Sequence, residues 1–300
     1  MNGILCMNKP EEFTSFDVIG KLRGILRIRK LGHTGTLDPM ATGVLPVLVG
    51  TAAKACDIMP CQDKEYLAGV RFGVSSDTLD IWGNEFSEYT SMHVTKDALV
   101  SVIPDFTGEI EQLPPMYSAV SIGGKRLYEL ARKGIEAERP VRNVQVYSID
   151  IKQFDEDRQE AVLSVKCGKG TYIRTLIDDI GRVLGGGAVM TSLCRTMASG
   201  FDISECYTFD EVKAAVEAGQ AEGLLFPTER LFEDYPKLCL GEVQTRMYRN
   251  GVKLDLGRIH NIIPNCCDYT VYSSEGTFIG TAKADFENCE LRCGKNFEER

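Results

Sequence analysis

The chain has 300 residues and a formal net charge of −9, with 43% hydrophobic and 26% charged residues. This composition is ordinary for a globular protein, and the length allows one large domain and a small one. It contains no apolar stretch of the ~18 residues that a transmembrane helix needs, and its first residues, MNGILCMNKP, lack the pattern of a signal peptide, so we expect a cytoplasmic protein without membrane contacts.

The eleven cysteines do not indicate a disulfide framework. A cytosolic chain of this size keeps its thiols reduced, and we expect most of them to be buried. Four cysteines near the C-terminus lack the paired C-x2-C spacing of a structural zinc site, so we expect no metal there. These four are Cys266, Cys267, Cys289 and Cys293.

The charge is unevenly distributed. Residues 201–300 carry 11 Lys and Arg against 18 Asp and Glu, whereas residues 1–200 carry 23 against 25. Basic residues cluster twice in the first 200 positions. Such clusters usually form only a solvated face, but two of them in an acidic chain, one leading into residues 32–50, favour a track for phosphate groups. The clusters are Lys21, Arg23, Arg27, Arg29 and Lys30, and Lys125, Arg126, Arg132, Lys133, Arg139 and Arg142.

Hydrophobic periodicity and capping residues predict both helices and strands. Most of residues 104–124 is predicted to be loop, because proline and glycine punctuate it. Turn-separated β-like runs fill residues 236–297. The other predicted elements, in chain order, are a helix over 15–30 capped by Ser15, a strand over 44–49, a short helix over 51–59, a strand over 64–74, helices over 96–103 and 127–132, strands over 141–151 and 161–167, a helix after Thr171 as its cap, and a helix over 208–218 opened by Thr208 and Glu211.

Residues 32–50, GHTGTLDPMATGVLPVLVG, carry the most informative feature of the chain. Asp38 lies between Leu37 and Pro39, just before an apolar run, and burying a charge near a core strand is unfavourable unless the charge is paired. The flanking glycines permit tight turns, and Pro39 favours an extended backbone at Asp38. From the residues alone, Asp38 either stabilises a turn or is presented to a ligand.

This segment resembles the catalytic motif of the bacterial tRNA pseudouridine-55 synthase family. The similarity extends through NKPEEFTSFDVI, DKEYLAGVRFG, QLPPMYSAVSIGGKRLYELARKG and CGKGTYIRTLIDDIG, so it covers most of residues 1–200. The resemblance implies an α+β fold with a central mixed, mainly antiparallel sheet flanked by helices. It also implies a catalytic domain over residues 1–235, an RNA-gripping insertion over 114–142, and a PUA-like RNA-binding β-barrel over 236–300.

By this resemblance, Asp38 is the catalytic carboxylate. Arg174 in GTYIRT is implied to pair with it, and a fork-shaped contact from an arginine would orient the carboxylate and keep it ionised. Tyr66 in DKEYLAG is implied to stack on the target base, although a lone strand tyrosine is equally typical of a core. A cation in the first turn of a helix opposes the helix dipole, which also indicates a specific anion near Arg174.

Further residues match family positions that contact RNA or line the site. The alternatives are a turn histidine for His33, core packing for Tyr172 and Leu193, and a structural role for Lys9, whose neighbouring turn departs from the family pattern at Glu11 and Glu12. The implied RNA-contacting set is His33, Tyr172, Leu193, Lys9, Asp77, Lys125, Arg126 and Arg132, with Asp80 beside Asp77 as a second carboxylate near nucleotide hydroxyls.

The implied reaction converts uridine-55 in the T-loop of tRNA to pseudouridine, after the base is flipped out of its stack. Attack by Asp38 at the sugar, attack at the base and proton abstraction from the sugar remain open, and none needs a cofactor. We expect tRNA as the partner, a monomer and no obligate protein partner. The alternatives are an RNA-guided type of pseudouridine synthase and a tRNA-folding chaperone.

Overall fold

A computed structural model describes residues 1–299 except 85, 90 and 119, and it leaves the side chains of residues 121, 122 and 125 undescribed. None of the helices in this part of the chain is both long enough and apolar enough to cross a membrane.

Strands dominate the described part of the chain. In chain order they are β1 (Gly3–Lys9), β2 (Leu31–His33), β3 (Thr42–Val49), β4 (Lys64–Phe72), β5 (Val74–Ser76), β6 (Phe86–Glu88), β7 (Gly108–Gln112), β8 (Ser121–Ile122), β9 (Lys125–Arg126), β10 (Arg142–Asp155), β11 (Glu160–Cys167), β12 (Ala188–Ala198), β13 (Phe201–Asp202), β14 (Lys237–Cys239), β15 (Leu254–Asp255), β16 (Asp268–Tyr272), β17 (Phe278–Asp285) and β18 (Glu290–Asn296). The α-helices are α1 (Ser15–Leu26), α2 (Lys96–Val102), α3 (Leu127–Ala131), α4 (Ile173–Val183), α5 (Phe209–Glu217) and α6 (Glu242–Arg249).

The central sheet has nine strands among the described residues. Its main path runs β1-β3-β12-β4-β11-β10-β7, with β2 added beside β3 and β13 beside β12. Neighbouring strands are antiparallel except β3 and β12, which are parallel. The α+β class and the mixed, mainly antiparallel sheet predicted from the sequence are thereby confirmed.

Helices cover both faces of this sheet, because alternate strand residues point to opposite sides. On one face α4 packs Ile173, Leu176 and Ile177 into the same core as Tyr66 and Val70 of β4. On the other face α1 and α5 bury their apolar sides against β1 and β3. The sheet is therefore packed on both faces, and the loops at its edge extend from this central layer.

A second sheet of five described strands, ordered β14-β16-β17-β18-β15, occupies the C-terminal region and has its own core. Its outer strands, β14 and β15, are not paired with each other among the described residues. The β-rich prediction is confirmed, whereas the PUA-like barrel stays a prediction. Helix α6 was missed from the sequence, since its eight residues lie among β-like runs.

Aromatic side chains join this second sheet to the rest of the molecule. Phe232 precedes the sheet and lies 5.7 Å, centroid to centroid, from Phe297 and 6.4 Å from Phe278. These rings share a core with the short 3-10 segment Gly50–Ala55 that follows β3. Burial of several aromatic rings makes this a fixed junction.

The first helix is shorter than predicted. It ends at Leu26, because Arg27 takes a left-handed conformation with φ of 55°, and its cap is Thr14, which forms a capping box with Asp17. Ser15 has a different partner: its hydroxyl accepts a hydrogen bond from the Leu37 amide at 2.9 Å. The predicted Ser15 cap is therefore wrong, and Ser15 fixes the backbone beside Asp38.

Other sequence predictions also need correction. Strands β1 and β12 were not predicted, and β7 lies where loop was expected. Their burial and pairing depend on distant strands, which local patterns do not reveal. The cysteines are free as expected, but only Cys6 and Cys167 are buried and the other nine are half-buried or exposed, so the expectation of mostly buried thiols is wrong.

Gly43 offers a test of how closely β3 and β12 must approach. Its φ is +100°, and an added Cβ would lie 2.2 Å from the Arg195 carbonyl oxygen. We predict that Gly43→Ala lowers the free energy of unfolding by about 2–4 kcal/mol in urea titrations. Gly20→Ala, on an open face of α1, should instead stabilise by about 0.5–1 kcal/mol. Unchanged stability of Gly43→Ala would contradict the close contact.

Candidate active site

The parallel contact between β3 and β12 fixes the loop that carries Asp38. Arg195 on β12 pairs in register with Gly43 of β3 on one side and with Tyr66 of β4 on the other. Its side chain is fully buried, and its Nε donates to the Val44 carbonyl at 2.7 Å. Its Nη2 donates to the Gly35 carbonyl at 3.2 Å, so one guanidinium binds backbone on both sides of the loop.

A cavity of about 300 Å³ opens beside this loop. It is lined by Asp38, Tyr66, Tyr172, Arg174 and Leu193, which come from four separate parts of the chain. The structure therefore brings together the three predicted catalytic residues and two of the predicted site-lining residues.

Arg174 is the anchored member of this group. It is buried, and its Nη2 lies 3.0 Å from Asp38 Oδ2. Its Nη1 lies 3.4 Å from Asp80 Oδ2 and donates to the Thr78 carbonyl at 3.1 Å. Nη2 also donates to the Tyr117 carbonyl at 2.9 Å. The guanidinium is thus divided between two carboxylates, which replaces the fork-shaped contact with Asp38 alone that we expected.

Asp80 holds the far side of this guanidinium. It is buried and accepts hydrogen bonds from the Thr78 hydroxyl at 2.5 Å and the Trp82 amide at 3.1 Å. Burial raises the pKa of Asp80, and these hydrogen bonds and Arg174 oppose that rise. Asp77, from the same loop, is exposed, and its carboxylate accepts from the Asn84 amide at 3.0 Å. Asp77 does not line the cavity.

The start of α4 is held by a residue that the sequence did not reveal. Gln112 is buried, and its amide group accepts from the Tyr172 amide at 2.9 Å and donates to the Tyr172 carbonyl at 3.2 Å. Tyr172, rather than Thr171, is the helix cap, and the Thr171 hydroxyl donates to the Gly168 carbonyl. The predicted Thr171 cap is wrong because Gln112, 60 residues away, satisfies this backbone.

Tyr66 is buried at the floor of the cavity, where it faces Arg195. Burial raises the pKa of the Tyr66 phenol, and the nearby Arg195 cation opposes this effect. Leu193 precedes Arg195 by two residues on β12, so both side chains point to the same face of the sheet. The sequence analysis identified Leu193 but missed Arg195. Alternation along a strand would have predicted that both side chains lie on the same face of the sheet.

Lys9 is fully buried, so its side chain presents no surface to RNA. Its Nζ donates to the carbonyls of Pro10 at 2.8 Å, Phe13 at 2.6 Å and Pro39 at 2.9 Å. Pro39 directly follows Asp38, so Lys9 connects the loop that carries Asp38 to the end of β1. The structure supports the structural role that the sequence left open, and burial lowers the pKa of Lys9 to about 8.

The other predicted RNA contacts whose side chains are described, His33, Arg126 and Arg132, do not line the cavity. His33 is half-buried in β2, and burial lowers its pKa. Arg126 and Arg132 are exposed, and the side chain of Lys125 lies outside the described residues. Their segment reaches the site through Tyr117, whose carbonyl accepts from Arg174. In the described part of the chain, no group of three or more His, Cys, Asp or Glu is arranged to hold a metal.

Two solved structures have the same architecture. A Cbf5–Nop10–Gar1 complex matches with a TM-score of 0.76 and 25% identity, covering 99% of this chain and 85% of that one. An archaeal box H/ACA Nop10–Cbf5 complex matches with a TM-score of 0.72 and 24% identity, covering 99% and 86%. The fold is that of the pseudouridine synthase class.

Sequence comparison then narrows this class. Residues 23–173 match the N-terminal domain of the TruB family pseudouridylate synthases, and residues 174–233 match the C-terminal domain of tRNA pseudouridylate synthase B. A tRNA pseudouridine synthase B of Clostridium tetani is 39% identical over 97% of this chain and 98% of its own. One of Halalkalibacterium halodurans is 41% identical over 95% and 93%. The chain belongs to the TruB family of pseudouridylate synthases and is therefore an isomerase.

The shared guanidinium makes Arg174 sensitive to conservative replacement. We predict that Arg174→Lys lowers kcat by about a hundredfold or more, since a single ammonium cannot contact both carboxylates and both carbonyls. Arg182→Lys, on the same helix and 67% exposed, should stay within about threefold. Single-turnover rates of pseudouridine formation measure this, and equal rates for the two variants would remove Arg174 from the site.

The buried Lys9 gives a pH signature. Because the folded pKa of about 8 lies below the ordinary 10.5, the unfolded chain binds more protons between these values, and the free energy of unfolding rises with pH there. We predict that the wild type gains up to about 3 kcal/mol over this range relative to Lys9→Met. Urea titrations from pH 7 to 10.5 measure the difference, and parallel pH profiles would contradict it.

Proposed function

We propose that this protein isomerises uridine-55 in the T-loop of tRNA to pseudouridine, with Asp38 as the catalytic carboxylate. Family membership supports the reaction class, and the names of the curated relatives support tRNA as the substrate. The observation that carries the proposal is the cavity in which Asp38, 46% exposed, is paired with the buried Arg174 above Tyr66 and Leu193.

This arrangement suits an extruded base. The cavity combines apolar and aromatic walls with one accessible carboxylate, and a uridine in a folded loop must leave its stack to reach it. Tyr66 and Leu193 offer flat and apolar contact to the uracil, which offsets part of the unstacking cost of a few kcal/mol. Arg174, Arg195 and Lys9 hold the loop that carries Asp38 in the protein without RNA, so the carboxylate is positioned before the substrate binds.

Recognition of the RNA is assigned to surrounding elements. Residues 114–142 form the proposed gripping segment, because they carry the exposed Arg126 and Arg132 and contact the site through Tyr117. We place a domain boundary near residue 236, since the second sheet and its core begin there. The C-terminal region is proposed to contact tRNA further from the cavity, and the enzyme to act as a cytoplasmic monomer without a protein partner.

The experiment is tritium release from a T-loop stem-loop RNA carrying uridine labelled at C5. C5 loses its hydrogen only when it becomes the new attachment point of the base. We predict release by the wild type alone, without other proteins or guide RNA, and a loss of at least about a thousandfold in Asp38→Asn. The affinity of Asp38→Asn for the RNA should stay within about twofold. Asp150→Asn, an exposed carboxylate of β10, is the matched control.

The possible results separate the alternatives. Release only from full-length tRNA would show that other tRNA arms are needed. Release only with a guide RNA and partner proteins would favour the RNA-guided type. Release by Asp38→Asn above a few per cent of the wild-type rate would refute the role of Asp38.

A further inference from the structure

The cavity is also lined by cationic side chains outside the Asp38–Arg174 pair. Lys64 and Lys169 line it, and Arg195 lies directly behind the wall. A side-chain carbon placed on Gly35 would lie 3.5 Å from Lys64 Cε and 3.7 Å from Arg195 Nη1. Both cations therefore lie close to Gly35, and Lys64 lines the cavity whereas Arg195 does not.

The Lys64 ammonium has more N–H donors than the hydrogen bonds of the described residues use. Its Nζ donates to the Gln62 carbonyl at 2.5 Å. The adjacent carboxylate of Asp63 accepts from the Tyr147 hydroxyl at 3.0 Å, and that of Glu65 accepts from the Ser164 hydroxyl at 3.2 Å. Within the described ranges, no carboxylate oxygen lies within 4.0 Å of the Lys64 ammonium. A half-buried ammonium thus faces the cavity without an anion.

The surroundings of Lys64 disfavour the charged form of its side chain. Burial lowers the pKa of Lys64, and the charges of Arg195 and Lys169 lower it further. Arg195 cannot receive an anion from the cavity, because it is fully buried and donates to the carbonyls of Gly35, Thr36 and Val44. Among these cations, Lys64 is the one held at the wall with unused donors, and Lys169 is an exposed neighbour at the rim.

An RNA phosphodiester is the anion that the proposed function brings to this place. A flipped uridine that occupies the apolar side near Tyr66 and Leu193 carries its ribose and two flanking phosphates toward the mouth of the cavity. Lysine binds phosphate as a compact point charge and needs no fork geometry. Partial exclusion of water strengthens such a contact.

We propose that Lys64 binds a phosphodiester that flanks the flipped nucleotide and so draws the target uridine into the cavity. This inference rests on the proposed function. It assigns Lys64 a role in substrate binding rather than in bond making, so its loss acts mainly on KM and on RNA affinity.

The test combines variants of Lys64 with RNA in which one phosphate is made neutral. Stem-loop RNAs carry a methylphosphonate on either the 5′ or the 3′ side of the target uridine, and kcat/KM is measured by tritium release. For the wild type we expect the methylphosphonate at one of the two linkages to lower kcat/KM about tenfold. Lys64→Met should lower kcat/KM about tenfold with unmodified RNA, and a methylphosphonate at that linkage should lower it no further. Lys64→Arg should retain most of the wild-type rate.

Lys166→Met is the matched control, because Lys166 is an exposed lysine of the neighbouring strand β11 that does not line the cavity. It should keep the wild-type sensitivity to the methylphosphonate. Thermal melting checks that each variant folds. If Lys64→Met does not fold, Lys64→Arg still allows the test to be made. Independent, multiplicative losses from Lys64→Met and the methylphosphonate would overturn the proposal.

A binding measurement separates this inference from the proposed function. With the Asp38→Asn protein, RNA affinity is measured across salt concentrations, with and without Lys64→Met. We expect Lys64→Met to lower the slope of log affinity against log salt by roughly 0.7, the value for one contact to a single strand. An unchanged slope would refute the phosphate contact even if catalysis is normal. A changed slope without tritium release by the wild type would refute only the reaction.

Discussion

The close approach of β3 and β12 is the constraint on which the site depends. Gly43 admits the backbone of Arg195 at a distance that any Cβ would obstruct. This contact places the Arg195 guanidinium beside the loop that carries Asp38, where its hydrogen bonds to carbonyls on either side of Asp38 fix the loop. Because Tyr66 is its neighbour across β12 and β4, the same contact also fixes the aromatic floor of the cavity.

Three buried or nearly buried cations, Lys9, Arg174 and Arg195, share one way of stabilising the site: they donate to backbone carbonyls. Only Arg174 also faces carboxylates, and it divides its nitrogens between Asp38 and Asp80. Such hydrogen bonds satisfy buried charge without surrounding Asp38 with further acids. Asp38 is therefore paired with one cation, Arg174, on a loop that backbone hydrogen bonds hold in place, and its side chain stays accessible to a ligand.

The C-terminal region is attached through an apolar junction. Phe232, Phe278 and Phe297 pack against the segment that follows β3, so the second sheet is fixed to the strand that follows the catalytic loop. Residues 236–300 carry 9 Lys and Arg against 9 Asp and Glu, so the excess of negative charge over residues 201–300 lies in residues 201–235. The second sheet is therefore close to neutral overall and lacks the net positive charge that attracts phosphates.

The sequence alone determined the strands and helices with strong local periodicity, such as β4 and α4, and it singled out Asp38, Tyr66 and Arg174, because short motifs are local. Only the tertiary structure revealed Arg195, since its partners lie about 150 positions away and become neighbours through one parallel strand pair. The burial of Lys9 and the sharing of Arg174 likewise depend on which distant backbone carbonyls come within hydrogen-bond reach. Local residue patterns cannot specify such distances, because the packing of the whole sheet sets them.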